Sequence, residues 1–322
     1  MALPSTLQEA IIYFADAKNC NGFLAGLRWT DGKVKCPSCG SDRVVYLEKQ
    51  NRYKCYGKHP KAQFSLKVGT IFEDSPIGLD KWLCAMWLIV NCKNGISSCE
   101  MARHLGITQK SAWFLDHRIR FALYSGSFEK LSGECEADET FIGGKARNMH
   151  VAQRQRRITG TGTKDKTPVI GILERSKDGK SRVRTSVIEN RKKKAIQGEV
   201  RKHVEAGSAL YTDFLLSYDG LAGDYAHQVV DHAVQYVDGN VHTNTLENFW
   251  ALLKRGISGT YVSVEPFHLF RYLDEQAYRY NFRKDVNDFD RFKMAASQLV
   301  GKRLTWDEVT GKNHEPETCR PN

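Results

Sequence analysis

His242-Thr243-Asn244-Thr245-Leu246-Glu247-Asn248-Phe249-Trp250, running on through Lys254-Arg255 to Gly259-Thr260-Tyr261, is the stretch on which the fold turns. Thr243 or Asn244 offers the short polar side chain that caps a first helical turn, and Leu246, Phe249, Trp250 and Leu253 then recur at helical spacing. One face of this helix is therefore buried. Glu247 stands three residues before Trp250 and seven before Lys254, so a carboxylate and an amine project along nearly the same side. Two more acids close apolar runs upstream: Asp138 in Cys135-Glu136-Ala137-Asp138-Glu139-Thr140-Phe141-Ile142-Gly143-Gly144, and Asp213 in Ala209-Leu210-Tyr211-Thr212-Asp213. The expectation is that Asp138, Asp213 and Glu247 meet.

Between these acids the pattern alternates strand and helix. Glu136 to Ile142, Val169 to Leu173 and Val183 to Ile188 read as strands. A helix follows from about Arg191 to Glu205, then a short strand at Leu210 to Asp213, another at Val229-Val230, and the helix that opens near Thr243. Three strands, a helix, a strand ending in an acid and a helix carrying another acid is the order of an RNase H-like α/β fold. The segment from Lys145 to Thr167 carries Arg154, Arg156 and Arg157 among its cations and a single acid, Asp165, and reads as a basic flap. Lys192 and Lys193 add cations at the start of the following helix.

Two smaller modules precede this core. Cys36-Pro37-Ser38-Cys39-Gly40 and Cys55-Tyr56-Gly57-Lys58-His59 present two close ligand pairs separated by a hairpin, the donor set that tetrahedral zinc requires. His59 departs from the Cys-x2-Cys of a common ribbon. Ahead of the ribbon, residues 5 to 28 form an amphipathic helical lead-in. After it, Trp82 to Ile89 marks one helix, Ser97 or Ser98 caps a second that runs to Leu105, Gly106-Ile107-Thr108 makes a tight turn, and Ser111 to Leu123 forms a third. That is the outline of a helix-turn-helix, with Lys110, His117, Arg118 and Arg120 as candidate DNA contacts. The division that follows is a zinc ribbon with its lead-in over 1–75, a helix-turn-helix domain over 76–130, an RNase H-like catalytic domain over 131–290 and a C-terminal extension over 291–322.

The bulk properties agree with a polyanionic partner. The chain has 322 residues, 41% of them hydrophobic, and 48 Lys and Arg against 37 Asp and Glu leave a net charge of +11, with a pI of about 9.1. The longest apolar run, Trp82 to Val90, is too short to span a bilayer, and the N-terminus lacks the basic and apolar regions of a leader. A cytoplasmic, nucleoid-associated protein without a membrane role is expected. Nine cysteines, an odd number spread over the chain, fit a reducing compartment rather than a disulfide framework.

Carboxylates gathered at strand and helix ends suit divalent metals, since two cations roughly 4 Å apart can activate a nucleophilic oxygen and stabilise a leaving oxygen in phosphodiester cleavage. Hard oxygen donors favour Mg2+ or Mn2+, and Lys254 suits a phosphate contact.

The chain resembles the DDE-type insertion-sequence transposases that bear a zinc ribbon, the ISXO-like family. The resemblance runs through the Cys36-x2-Cys39 ribbon, Val68-Gly69-Thr70-Ile71-Phe72-Glu73, Asp138 to Gly144, His242-Thr243-Asn244 with Glu247 to Trp250, Lys254-Arg255, and Arg271-Tyr272-Leu273-Asp274-Glu275 followed by Asn281-Phe282-Arg283. It implies an enzyme that binds terminal inverted repeats of double-stranded DNA, cuts strands and joins 3′ ends to a target, as a homo-oligomer using magnesium. It also implies that Asp138, rather than Glu136 on the same strand face, is a metal ligand, and it leaves the third ligand open among Asn244, Glu247 and Asn248. Charge favours Glu247. Competing readings are a nuclease of the same fold that does not join strands, and a zinc-ribbon and helix-turn-helix regulator whose C-terminal domain is inactive.

Overall fold

A computed structural model of the chain describes residues 3–124, 129–144, 150–157, 165–176, 178–230 and 241–312. In chain order it holds α1 (Leu7–Ala15), α2 (Ala17–Arg28), β1 (Val44–Leu47), β2 (Arg52–Cys55), β3 (Gln63–Phe64), α3 (Leu79–Asn91), α4 (Ser98–Leu105) and α5 (Gln109–Leu123). There follow β4 (Glu134–Ile142), α6 (Val151–Arg157), β5 (Thr167–Glu174), β6 (Arg182–Val187), α7 (Lys193–His203), β7 (Ala209–Asp213), β8 (Ala226–Val230), α8 (Asn244–Gly256), α9 (Leu269–Asn281), α10 (Asp288–Ser297) and α11 (Trp306–Thr310). The chain separates into two compact units, one of Met1–Cys92, Ile96–Ser125 and Asn287–Asn322, the other of Lys93–Gly95 and Gly126–Val286.

In the first unit the lead-in is two helices, because Asp16 ends α1 with extended backbone and then caps α2, its carboxylate accepting from Lys18 N at 2.8 Å. β1, β2 and β3 form an antiparallel ribbon. Ser97 starts α4 with a reciprocal capping box to Glu100, Gly106 ends it in the left-handed region at φ 60°, and Thr108 caps α5. The helix, glycine turn and helix read from the sequence are thus present. Phe292 of α10, within the segment read as an extension, is fully buried; its ring lies 5.3 Å from Phe23, 5.4 Å from Trp87 and 5.6 Å from Phe14.

The second unit is built on a five-stranded sheet in the order β6-β5-β4-β7-β8. β4 pairs antiparallel with β5, and β5 with β6; β7 runs parallel to β4, and β8 to β7. Alternation along β4 supplies both faces. Cys135 and Ala137 pack with Ile170, Ile172 and the α7 residues Ile196 and Val200. Ile142, Val169 and Leu173 pack on the other face with Leu246, Phe249, Trp250 and Leu253 of α8 and with Leu269 and Leu273 of α9. The edge strand β6 is tied down by Asn281, whose amide accepts from Val183 N at 2.7 Å and donates to Val183 O at 3.0 Å.

Candidate active site and metal centre

Parallel pairing of β4 with β7 sets Glu134 opposite Ala209, Cys135 opposite Leu210 and Glu136 opposite Tyr211. Two residues beyond the last of these pairs come Asp138 and Asp213, which brings the first two acids near enough for the Asp213 charge to act on Asp138. Their closeness contributes to the protonation of Asp138. Burial, reinforced by the neighbouring Glu139 and Asp213 charges, pushes the Asp138 carboxyl up to about 7.

Helix α8 is fixed to this strand at two points. Glu136, with no exposure, accepts from Leu246 N at 2.8 Å through one oxygen, while the other receives Arg175 Nε at 2.6 Å and faces His242 Nδ1 at 3.6 Å. Arg175 also donates to His242 O at 2.5 Å and lies 4.4 Å above the Tyr211 ring. One turn on, Trp250 Nε1 donates to Asp138 Oδ2 at 3.0 Å. Glu247, half-buried in the first turn, and Lys254, exposed in the last, lie three residues before and four after this tryptophan. Glu136 and Asp138 therefore share a face but not a role: both oxygens of Glu136 are committed to holding the helix.

Trp250 can reach Asp138 because Gly171 stands directly across from it on β5. A Cβ at Gly171 would lie 2.5 Å from Trp250 Cζ2 and 3.0 Å from Leu246 Cδ1. Gly171→Ala is expected to destabilise the unit by about 1–3 kcal/mol, the usual range for overpacking, and to break the tryptophan–aspartate bond. Thermal melting together with Mn2+ titration checks this, and unchanged values in both would show that Trp250 does not depend on the glycine. Glycine inside an apolar strand was visible in the sequence as a mark of close approach; what approaches was not.

The three acids do not close into one tight cluster. Among the described residues, the group of three or more His, Cys, Asp or Glu whose ligand atoms lie within 4.8 Å of one another is Cys36, Cys39, Cys55 and His59. Metal-free carboxylates repel, and ligands shared between two cations roughly 4 Å apart need not touch one another. The donor set nevertheless suits a hard cation: Asp138 and Asp213 offer oxygens, and the Asn244 Oδ1 is buried with no hydrogen-bond partner. Of the two cap candidates the first holds the position, without the side-chain bond expected of a cap. Thr243 occupies the N-cap with no side-chain cap bond, and Asn244 is the first helical residue. Glu139, on the opposite face of β4, is held by the Tyr218 hydroxyl and by Arg191 Nε at 3.1 Å.

The second centre lies in the ribbon. Cys36 Sγ is 3.4 Å from His59 Nε2 and Cys39 Sγ is 3.6 Å from Cys55 Sγ, separations suited to one tetrahedral zinc. Gly57 N donates to Cys55 Sγ at 3.2 Å, and a Cβ at Gly57 would come within 2.9 Å of Cys39 Sγ.

Of the candidate DNA contacts, Lys110, Arg154, Lys192 and Lys193 are exposed, with Lys110 Nζ 4.6 Å from the Trp306 ring centre. The side chains of Arg156 and Arg157, and residues 145–149 and 158–164 of the expected flap, lie outside the described residues. Arg118 and Arg120 correct the sequence reading. They are 3% and 2% exposed, and Arg118 donates to Glu73 O and lies over Trp82 and Phe114. His117 is likewise buried. Arg118 follows Leu115 by three residues and precedes Ala122 by four, which places it on the apolar stripe of α5; that spacing was the available signal.

Comparison with known proteins agrees with this layout. Residues 130–281 match the ISXO2-like transposase domain and residues 16–57 the transposase zinc-ribbon domain. The chain is 28% identical over 261 residues to an uncharacterized protein in the transposable element ISH50 of Halobacterium salinarum, covering 76% of this chain and 84% of that one. It is also 28% identical over 103 residues to an uncharacterized transposase-like protein of Haemophilus influenzae, covering 32% of this chain and 83% of that one. No solved structure matches significantly.

Proposed function

From the premise that the chain belongs to the ISXO2-like transposase family, we propose that it is an active transposase that binds the ends of its element, cuts DNA strands and transfers 3′ ends to target DNA. The observation that carries this reading is that Asp138 and Asp213 lie two residues beyond the last pair of two adjacent parallel strands, close enough for the Asp213 charge to act on Asp138, with α8 bonded to Asp138 through Trp250. The strand order with β4 at the centre, two antiparallel neighbours to one side and two parallel ones to the other, supports an RNase H-like core.

Asp138 and Asp213 would hold the catalytic cations, Mg2+ or Mn2+, and the first turn of α8 would complete the ligand set. Cations held there would supply activation of the attacking oxygen and stabilisation of the leaving one. Trp250 fixes the rotamer of Asp138, Glu136 and Arg175 keep the helix start against β4, and Lys254 would meet a phosphate as a point charge. The exposed Arg154 of α6, Lys192 and Lys193 at the α7 start and Lys110 would supply salt-sensitive contacts to the DNA backbone. No described helix is long and apolar enough to cross a membrane. Catalysis on paired element ends calls for a homo-oligomer, and a DNA-bound enzyme of this kind works in the cytoplasm, associated with the nucleoid.

Incubating the purified protein with its flanking element ends and Mg2+ tests the proposal, with joined products expected. Cut but unjoined strands would leave a nuclease; binding without cutting would leave a regulator. The third ligand is decided by three variants. Glu247→Gln should lose cleavage, Asn248→Ala should keep much of it because Asn248 is exposed, and Asn244→Ala should not lose cap stability. The orphaned Asn244 oxygen favours a second assignment: a dead Asn244→Ala beside an active Glu247→Gln would make the amide the ligand.

A further inference from the structure

Two of the most exposed large apolar side chains of the catalytic unit stand immediately beyond Asp213. Phe214 is 69% exposed and Leu216 is 73% exposed. Their neighbours are fixed. Asp213 Oδ1 accepts from Leu215 N at 3.3 Å, and Leu215 packs against the core under α7. Ser217 Oγ donates to Arg191 O at 2.6 Å, Gln197 Nε2 donates to Ser217 O at 3.1 Å and Asp219 O at 2.8 Å, and Tyr218 is buried with its hydroxyl on Glu139. The turn is therefore braced from both sides, and a braced turn that aims a ring and an isobutyl group into solvent gains nothing for folding by doing so.

A cation reaches the far end of this turn. Lys192 and Lys193 are exposed at the start of α7, and a Cβ at Gly220, in the same turn, would lie 3.3 Å from Lys193 Nζ. An aromatic face and an aliphatic wedge on a turn that an ammonium group also reaches match a nucleotide whose base is out of the stack: the base packs on the apolar groups and its phosphate meets the amines.

We propose that Phe214 and Leu216 form a binding site for an unstacked DNA base next to the scissile phosphate, with Lys192 and Lys193 holding the adjoining backbone. This rests on the transposase reading, since it requires DNA at Asp213. No bond is made or broken at the site; it would hold the strand open so that its phosphate reaches the two aspartates.

The probe is a short DNA duplex with a few unpaired nucleotides at one end, compared with the same duplex fully paired, in Ca2+ to prevent cutting. The native chain should prefer the forked form by about tenfold, within the range that stacking one base on a protein ring provides. Phe214→Ala with Leu216→Ala should erase the preference while leaving affinity for the paired duplex and the melting temperature unchanged, and Phe214→Trp should retain it. Paired-duplex binding with no fork preference, or a preference that the double variant keeps, would overturn the site and leave the transposase reading standing. Loss of self-association in the double variant with the fork preference intact would overturn it too, assigning the pair to a subunit contact. Failure to bind either duplex would remove the transposase reading and the base site together.

Discussion

Asp138→Asn is expected to lower Mg2+-dependent strand cleavage by at least about a thousandfold, because the metal-held charge is worth several kcal/mol in the transition state and each 1.36 kcal/mol is a factor of ten. DNA affinity should change little. The same substitution should make the metal-free protein more stable at pH 8. Asp138 titrates near 7 in the fold against an ordinary value of 3.8, so between about pH 4 and 7 the folded chain holds a proton that the unfolded chain has released. Stability contributed by this group is therefore present at low pH and declines as pH rises through that window. An amide has no proton to lose and keeps the shape that receives Trp250 Nε1. With EDTA the two melting temperatures should coincide near pH 4 and separate as pH rises, the variant melting above the native chain at pH 8. Added Mn2+ should reverse the order at pH 8, since only the native carboxylate binds it. Native melting that is independent of pH, or full cleavage by Asp138→Asn, would remove Asp138 from the metal site.

The acids were legible for reasons that extend to the strands and not to the contacts. Asp213 at the end of β7 follows from a local apolar run, and the periodicity gives the strands and helices from β4 to α8 apart from α6, which falls in the segment read as a flap; Asp138 corrects the expectation of a strand-end acid, since β4 continues past it to Ile142. The two uses of β4 acids were not legible, because alternation places Glu136 and Asp138 on one face without saying what lies above each. Arg175 and Leu246 N sit over the first and Trp250 over the second. Those partners come from positions remote in sequence, and register with β5 and β7 decides which residue they meet. Arg118 and Arg120 failed in the opposite direction. Cations on a helix suggest a surface, yet a guanidinium can be buried when aromatic rings and a carbonyl receive it, as Trp82, Phe114 and the Glu73 carbonyl receive Arg118. Burial pulls that guanidinium down to about 10.

Cys36→Ser is expected to abolish zinc binding and unfold the ribbon while the catalytic unit melts as before. The ribbon has little else to hold it. Its strands are four, four and two residues long, and its buried apolar side chains are few: Phe64, Leu66 and Trp29 beside Cys36 and Cys55. At about 1.5–3 kcal/mol for each such side chain, they cannot offset a conformational cost of about 1–2 kcal/mol for each ordered residue. A structural zinc, with an apparent contribution of about 10–16 kcal/mol in small fingers, makes up the difference. His59 is the informative position. Its Nε2 faces Cys36 Sγ while its Nδ1 is buried without a partner, so the ring lacks the usual hydrogen bond that orients a ligating histidine, and the zinc-ribbon match ends before it, at residue 57. His59→Cys should therefore keep the metal, since a thiolate can take the fourth position, whereas His59→Ala should weaken binding less severely than Cys36→Ser. Elemental analysis should give about one zinc for each native and His59→Cys chain and almost none for Cys36→Ser. Limited proteolysis should then cut Cys36→Ser between β1 and β3. If Cys36→Ser retains both zinc and protease resistance, the four side chains are not the metal's ligands, and the ribbon draws its stability from its aromatic contacts instead.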